Sequence, residues 1–312
     1  MKTYRLTAVM IIFLFVVIKN GAISEVDPDL PFSIDDTRIK PLRQLVDKKL
    51  QESLEKRIKK NKTWRRLVRR KQMAVGLVDI RDPYNAKFAR LNGDHMMYAA
   101  SLPKLGILLA ASQALEEGFL KENPDILNDM RIMISRSDNE SATRMIDLLG
   151  FEKIAATLSD PHYQLYDRKN GGGLWVGKRY AKKGKRYPDP LMGISHGASV
   201  TQVCRFYYLL ALGKLVNYDR SKQMLEMLED PEVHHKFVNT LERIVPDAKL
   251  YRKSGTWHQW HSDSVLVWGP HWRRYILTAI IEDPRGEQIL RELLPAVEEV
   301  LHKQSGETQV TE

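Results

Sequence analysis

The chain has 312 residues, enough for one large domain or two interleaved ones, and its apolar content of 43 % supplies a sizeable core. Its single cysteine, Cys204, excludes an internal disulfide framework. The net charge of +10 is local: residues 56–71, KRIKKNKTWRRLVRRK, hold ten basic side chains and no acidic one, and the remaining 39 basic residues balance 39 acidic ones.

The first residues read as targeting rather than fold. Lys2 and Arg5 form a positive start, an apolar run of 13 residues spans 6–18, and the AIS of residues 22–24 offers small side chains for cleavage. That run is shorter than the ~20 residues that span a bilayer. The expectation is a signal peptide over 1–24 and a secreted or periplasmic protein; the alternative is an uncleaved N-terminal anchor. Export argues against nucleic acid as the partner of the basic block. Its remaining readings are a solvated helix face and a contact with a polyanionic cell-wall or lipid surface.

In IKPLRQLVDKKLQESLEKRI, Leu42, Leu45, Val46 and Leu50 recur on one helical face. QMAVGLVDI predicts a strand, and KFARLNG a second strand after the turn RDPYN. A helical section follows. Its stripe of Leu105, Leu108, Leu109 and Leu115 ends at Gly118, and the stripe of Ala142, Met145, Ile146 and Leu149 ends at Gly150. Residues 160–195, rich in Gly, Lys and aromatic residues and without periodicity, predict a functional loop. Helices resume over 200–215 and 220–244, with Cys204 as a packed thiol in the first. Three strand-like runs, KLYRKSGTW, SVLVWG and RYILTAIIED, precede a last helix carrying Ile289, Leu290, Leu293, Leu294, Val297 and Leu301. Strands at both ends and helices between them predict an α+β fold within a domain spanning 38–312. Its antiparallel sheet, flanked by terminal helices, would draw on about 38–98 and 246–304, and a mostly helical lobe on about 99–245. A site would lie in the cleft between the lobes.

The stretch YAASLPKLGILLAA, residues 98–111, carries the chemistry. Pro103 is tolerated only in a first helical turn, so the helix starts near Ser101, with Lys104 on the same face about 5–6 Å away. The unsatisfied N–H groups of that end favour negative charge on a serine oxygen or an acyl oxyanion. A lysine activates a serine only as the free amine. Its ordinary pKa of about 10.4 must fall by about three units, roughly 4 kcal/mol, which burial or a second cation can supply. The plainer alternative is an N-cap serine beside a surface lysine. Two further motifs decide the matter. Ser137, Asp138 and Asn139 stand before a helix, and Lys253, Ser254 and Gly255 on a probable strand. Each alone is explained by a helix cap or a strand end. The order S-x-x-K, S-D-N, K-[ST]-G along one chain is far more specific.

With these motifs the sequence resembles the penicillin-recognising serine hydrolases, and class A β-lactamases most closely, over about residues 73–284. The resemblance implies a β-lactamase/transpeptidase-like fold and a serine hydrolase of β-lactamase or peptidase type. Its substrate would be a β-lactam or a related, peptidoglycan-derived amide, processed through an acyl-serine by a monomer without cofactor or metal. It implies Ser101 as nucleophile, Lys104 as its proton partner, and Ser137 as the relay to the leaving nitrogen. Asn139 would hold the substrate amide, Lys253 would raise the positive potential, and Ser254 would bond the substrate carboxylate. The N–H groups of Ser101 and Thr256 would form the oxyanion hole, with Gly255 in the same substrate-binding strand. Asp138 reads as structural.

One departure bears on mechanism. Class A β-lactamases activate the deacylating water with a glutamate in an E-x-x-L-N pattern. Residues 160–193 contain no glutamate; Asp160, Asp167 and Asp189 are their only acids, and Asp167 with Asn170 is a partial echo. The interval from S-x-x-K to S-D-N is also shorter than in those enzymes. Both facts shift weight towards a D-Ala-type peptidase or esterase without efficient deacylation. The basic residues of the loop suit an anionic substrate. The rival from another class is a non-catalytic binding protein that uses its basic segments on an anionic surface.

Other motifs carry less. GISHG, residues 193–197, matches the G-x-S-x-G elbow of α/β-hydrolases, but the KRYPDPLM before it, with two prolines, is no central strand, so Ser195 is a decoy. His258 and His261 form H-x-x-H on a strand-to-loop segment, where the rings face different ways, and no metal is expected. Trp260 and Trp268 read as packing residues, and Trp257, beside the K-S-G strand, as a packing residue placed to line the cleft.

Overall fold

The seven residues MAVGLVD form a strand in which every position is buried, so both of its faces must be covered. The computed structural model, which describes residues 30, 35–229, 231–270 and 272–306, shows how. The expected signal peptide, 1–24, lies outside the described residues. Helices α1 (Lys48–Lys60) and α2 (Lys62–Arg69) lead into β1 (Met73–Asp79), β2 (Lys87–Leu91) and β3 (Met97–Tyr98). The middle of the chain forms α3 (Lys104–Glu116), α4 (Pro124–Ser135), α5 (Asn139–Leu149) and α6 (Phe151–Ser159). Short strands β4 (Tyr166–Asp167), β5 (Gly172–Gly173), β6 (Trp175–Val176) and β7 (His196–Ala198) precede α7 (Val200–Ala211), α8 (Tyr218–Leu228) and α9 (Phe237–Ile244). Then follow β8 (Lys249–Trp257), β9 (Trp260–Trp268), β10 (Arg274–Glu282) and α10 (Gly286–Ser305).

The main sheet is antiparallel in the order β2-β1-β10-β9-β8, so strands from both ends of the sequence are joined along β1 and β10. Side-chain alternation sorts its two faces. Val75, Leu77, Leu277 and Ala279 meet Leu54 and Ile58 of α1, Trp64 of α2 and Leu293 and Leu294 of α10. Ala74, Val78, Ile276 and Ile280 meet Val203 and Phe206 of α7 and the helical core beyond. The fold is the expected α+β arrangement of an antiparallel sheet, terminal helices and a helical lobe. Each fully buried leucine or isoleucine contributes about 1.5–3 kcal/mol by leaving water.

Three sequence expectations need correction. Leu42 and Leu45 lie in a 3-10 turn and Val46 bridges to Phe88; α1 begins only at Lys48, where Asp47 caps it by accepting from Leu50 N at 2.7 Å. Its true buried face is Leu50, Leu54 and Ile58. The leucine stripe of α3 understates that helix, which is buried on nearly all sides because α4, α5, α6 and α8 surround it. The 220–244 segment divides into α8 and α9, with Pro231 and a left-handed Lys236 (φ +56°) between them. In the basic block, Ile58, Trp64 and Leu67 are buried, and the cations are exposed except for half-buried Arg57, which pairs with Glu299 at 2.7 Å.

Candidate active site

Ser101 lies where a strand passes into a buried helix. β3 pairs with β7, and Ala99 extends the contact by donating to His196 O at 2.8 Å. Ala100 then takes φ +51°, a left-handed conformation that costs a residue with a Cβ about 1 kcal/mol or more. The next turn closes with Lys104 N on Ser101 O at 3.2 Å and Gly106 N on Pro103 O at 2.8 Å. The α-helix proper starts only at Lys104, so Ser101 stands half-buried in the entry turn at the positive end of α3.

Lys104 is fully buried. Its Nζ donates to Ser137 O at 2.6 Å, Asp138 O at 3.0 Å and Asn139 Oδ1 at 2.8 Å, and lies 4.5 Å from the centre of the Tyr180 ring. The amine is thus drawn onto the S-D-N turn, and the Ser101 hydroxyl is not among its partners. Burial pushes its pKa down to about 7, against the opposing charge of Asp138. Ser137, itself left-handed at φ +58°, accepts at Oγ from Lys253 Nζ at 2.8 Å. Lys253 is buried and also donates to Ser254 O at 2.9 Å; burial first, then the Lys104 charge, holds its amine well below the ordinary lysine range. Asp138 caps α5 by accepting from Ser141 N at 2.7 Å, which leaves Asn139 as the first helical residue, on the cavity wall.

β8 closes the other side. A Cβ on Gly255 would fall on Ala99 O and lie 2.6 Å from Ser101 N, so only glycine lets the strand pass this close. Ser101, Asn139 and Thr256 consequently line one cavity of about 830 Å³. Ser254 is not part of that wall. Its hydroxyl sits 3.1 Å from His235 Nε2, at a smaller recess shared with Ser137 and Lys253.

Among the described residues, no carboxylate lines the cavity. Asp189 is buried and accepts from Tyr166 Oη and from the N–H groups of Leu191, Met192 and Ile194. Asp167 accepts from Lys169 N and Asn170 Nδ2, so their echo of the E-x-x-L-N pattern is a local turn. Asp160 accepts from His162 N. Tyr180 instead packs over Lys104, with its hydroxyl on Ala100 O at 3.2 Å. His196 lies against Tyr180 at 4.2 Å between ring centres, and its Nε2 is 3.0 Å from Lys178 O. Burial pushes His196 down to about 4, so the ring is neutral at neutral pH.

Ser195 shares the cavity and lies 3.3 Å from His196 Nδ1, but it precedes β7, and the strand–serine–helix order of a nucleophile elbow is absent. His258 occupies the turn between β8 and β9, whereas His261 pairs with Thr256 within the sheet, and no group of three metal-ligating side chains occurs among the described residues.

Sequence reasoning missed Tyr180, His196 and Lys236. Lys236 is fully buried, and its Nζ donates to Gly255 O at 2.6 Å, Thr256 Oγ1 at 2.8 Å and Ser262 O at 3.0 Å; burial pushes it down to about 8. It braces β8 from behind, beside the buried Arg252–Asp263 pair at 2.7 Å. The one available signal was a lysine set directly before an apolar helix face.

Residues 125–301 match the model of the β-lactamase enzyme family. A β-lactamase from Sphaerobacter thermophilus superposes with a TM-score of 0.62 at 14 % identity, over 82 % of this chain and 97 % of that one. A variant of PBP-A, in an acyl-enzyme complex with penicillin G, gives 0.62 at 19 % identity, over 85 % and 100 %. A variant of the class A β-lactamase of the last common ancestor of Gram-negative bacteria gives 0.62 at 15 %, over 77 % and 98 %. No curated protein matches the chain. At these identities the structures speak for the fold alone, but the family match covers more than half of the sequence, and the chain belongs to the β-lactamase enzyme family.

Proposed function

We propose that the protein is a secreted serine hydrolase, acylated at Ser101 by a β-lactam or a related amide and slow to release the acyl group. The observation that carries this reading is the fully buried Lys104 amine, one turn from a serine at the mouth of α3 and held on the S-D-N turn; burial pushes its pKa down to about 7. To act as base, the neutral amine must release one of its three bonds to the S-D-N turn and turn its lone pair towards Ser101 Oγ; it then takes the Ser101 proton while Oγ attacks the carbonyl carbon. The charge on the carbonyl oxygen is met by the N–H groups of Ser101 and Thr256. As the C–N bond breaks, the proton passes through the Ser137 hydroxyl, held by Lys253, to the leaving nitrogen.

Release of the acyl group requires an activated water. The lack of any carboxylate among the described cavity residues, with Tyr180 packed over Lys104, favours a peptidase-like, penicillin-binding behaviour over rapid β-lactam turnover. The positive start and apolar run of the first residues support export. A chromogenic cephalosporin tests the reading. A burst of one equivalent should be followed by turnover far below the ~10 s⁻¹ typical of enzymes. Fast linear turnover contradicts slow release, and the absence of both burst and turnover contradicts acylation.

A further inference from the structure

One part of the cavity lining is cationic in a way the acyl transfer does not use. Lys178, Lys182 and Arg186 line it, and among the described residues none of the three is paired with a carboxylate. Their neighbour Arg179 is already engaged by Asp147 at 2.6 Å. Lys178 and Arg186 face each other across an antiparallel bridge. Like charges placed directly opposite in this way repel and weaken the pairing that holds them. An anion lodged between them removes that penalty. Trp257 and Trp260, also in the lining, offer apolar surface, and the volume of about 830 Å³ lies within the range of sites that take a small molecule.

We propose that the 178–186 hairpin binds a second anionic group of the acyl donor, so that the preferred substrate is a dianionic amide or ester. This rests on the acyl-Ser101 reading and adds the charge class of the substrate to it. One carboxylate belongs to the reacting end, near Thr256 of β8. The other sits on the acyl side chain, on the side of Ser101 where Tyr180 reaches Ala100 O. Lys182 and Arg186 are exposed and Lys178 is half-buried, so their attraction acts mainly on encounter and is screened by salt.

The test compares benzylpenicillin, with one carboxylate, and α-carboxybenzylpenicillin, with two, by the second-order rate of Ser101 acylation followed by intact mass. At low ionic strength the dianion should react about tenfold faster, and the ratio should fall towards one near ~1 M salt. In Lys182→Glu/Arg186→Glu the ratio should drop below one, whereas charge reversal of Arg65 and Arg66 on α2 should leave it unchanged. Equal rates with the wild-type protein overturn the proposal without reference to any variant, as does a ratio that survives the double reversal. If neither penicillin labels Ser101, a neutral and a carboxylated aryl phosphonate are compared in the same way. Labelling by both at equal rates overturns the second anion site alone; labelling by neither overturns the acyl-serine reading, and this proposal with it.

Discussion

Lys104 and Lys253 are tied to the same residue: Lys104 Nζ donates to the Ser137 carbonyl at 2.6 Å, and Lys253 Nζ to the Ser137 hydroxyl at 2.8 Å. Two buried amines thus converge on one serine, each bonded to neutral oxygens there. Burial makes the charged form of each costly, and the Lys104 charge further disfavours protonation of Lys253.

The rate of acylation should follow the free-amine form of Lys104. With its pKa at about 7, the rate constant should rise with pH through neutrality and level off above pH ~8. Lys104→Met should lower the rate by about 10²–10⁴-fold and abolish that limb. A stopped-flow pH series on both proteins measures this. A flat wild-type profile contradicts the assignment of Lys104 as the base.

The same shift couples to stability. An unfolded lysine binds its proton up to about pH 10.5, while folded Lys104 releases it near 7, so between these values the unfolded state carries more protons. Stability should therefore rise with pH from about 7 to 10.5, by an amount on the order of 4–5 kcal/mol from this residue, fall by the same amount as pH is lowered from 10.5 to about 7, and be flat below that. The depressed amines of Lys253 and Lys236 act in the same direction. Urea unfolding across this range should give a positive slope that Lys104→Met reduces; an unchanged slope in the variant rejects the linkage.

Gly255→Ala places a methyl group on Ala99 O and 2.6 Å from Ser101 N. Backbone is the obstacle on both sides, so β8 must move away from the serine. Expected outcomes are a loss of about 1–3 kcal/mol in stability, as for overpacked sites, and acylation slowed by at least ~100-fold. Chemical denaturation and burst kinetics measure the two effects. Acylation at the wild-type rate would show that the approach of β8 to Ser101 is irrelevant to the chemistry.

Tyr180 occupies the space over Lys104. Tyr180→Glu introduces a carboxylate beside a lysine that can charge to meet it. Turnover after the burst should accelerate, up to about 10²–10⁴-fold, the scale of a positioned general base. Steady-state cephalosporin hydrolysis is the readout. Unchanged turnover, with the acyl-enzyme still forming, would mean that deacylation is limited by something other than a missing base.

Much of the fold was legible because local signals agreed with global ones. KLYRKSGTW is β8 residue for residue, bounded by the K-S-G motif at one end and apolar alternation at the other. Ala142, Met145, Ile146 and Leu149, ended by Gly150, gave the buried face of α5 and its stop. The face drawn through Leu42, Leu45 and Val46 failed because Asp47 caps a helix that starts after them. Spacing alone could not show that Lys104 would bond to three oxygens of the S-D-N turn, since i,i+3 proximity says nothing of competing acceptors. Tyr180 was hidden in the aperiodic loop and His196 in the three-residue strand that follows it. The places of Tyr180 over Lys104 and of His196 against Tyr180 depend on the 178–186 bridge and the β6–β7 pairing, neither of which has a sequence period.

The most direct measurement is peptide mapping by mass spectrometry after incubation with benzylpenicillin, and with an aryl phosphonate as a second electrophile. The account predicts a single adduct on Ser101 that disappears in Ser101→Ala and persists in Ser195→Ala. An adduct on Ser195, or unmodified Ser101 with both reagents, contradicts it.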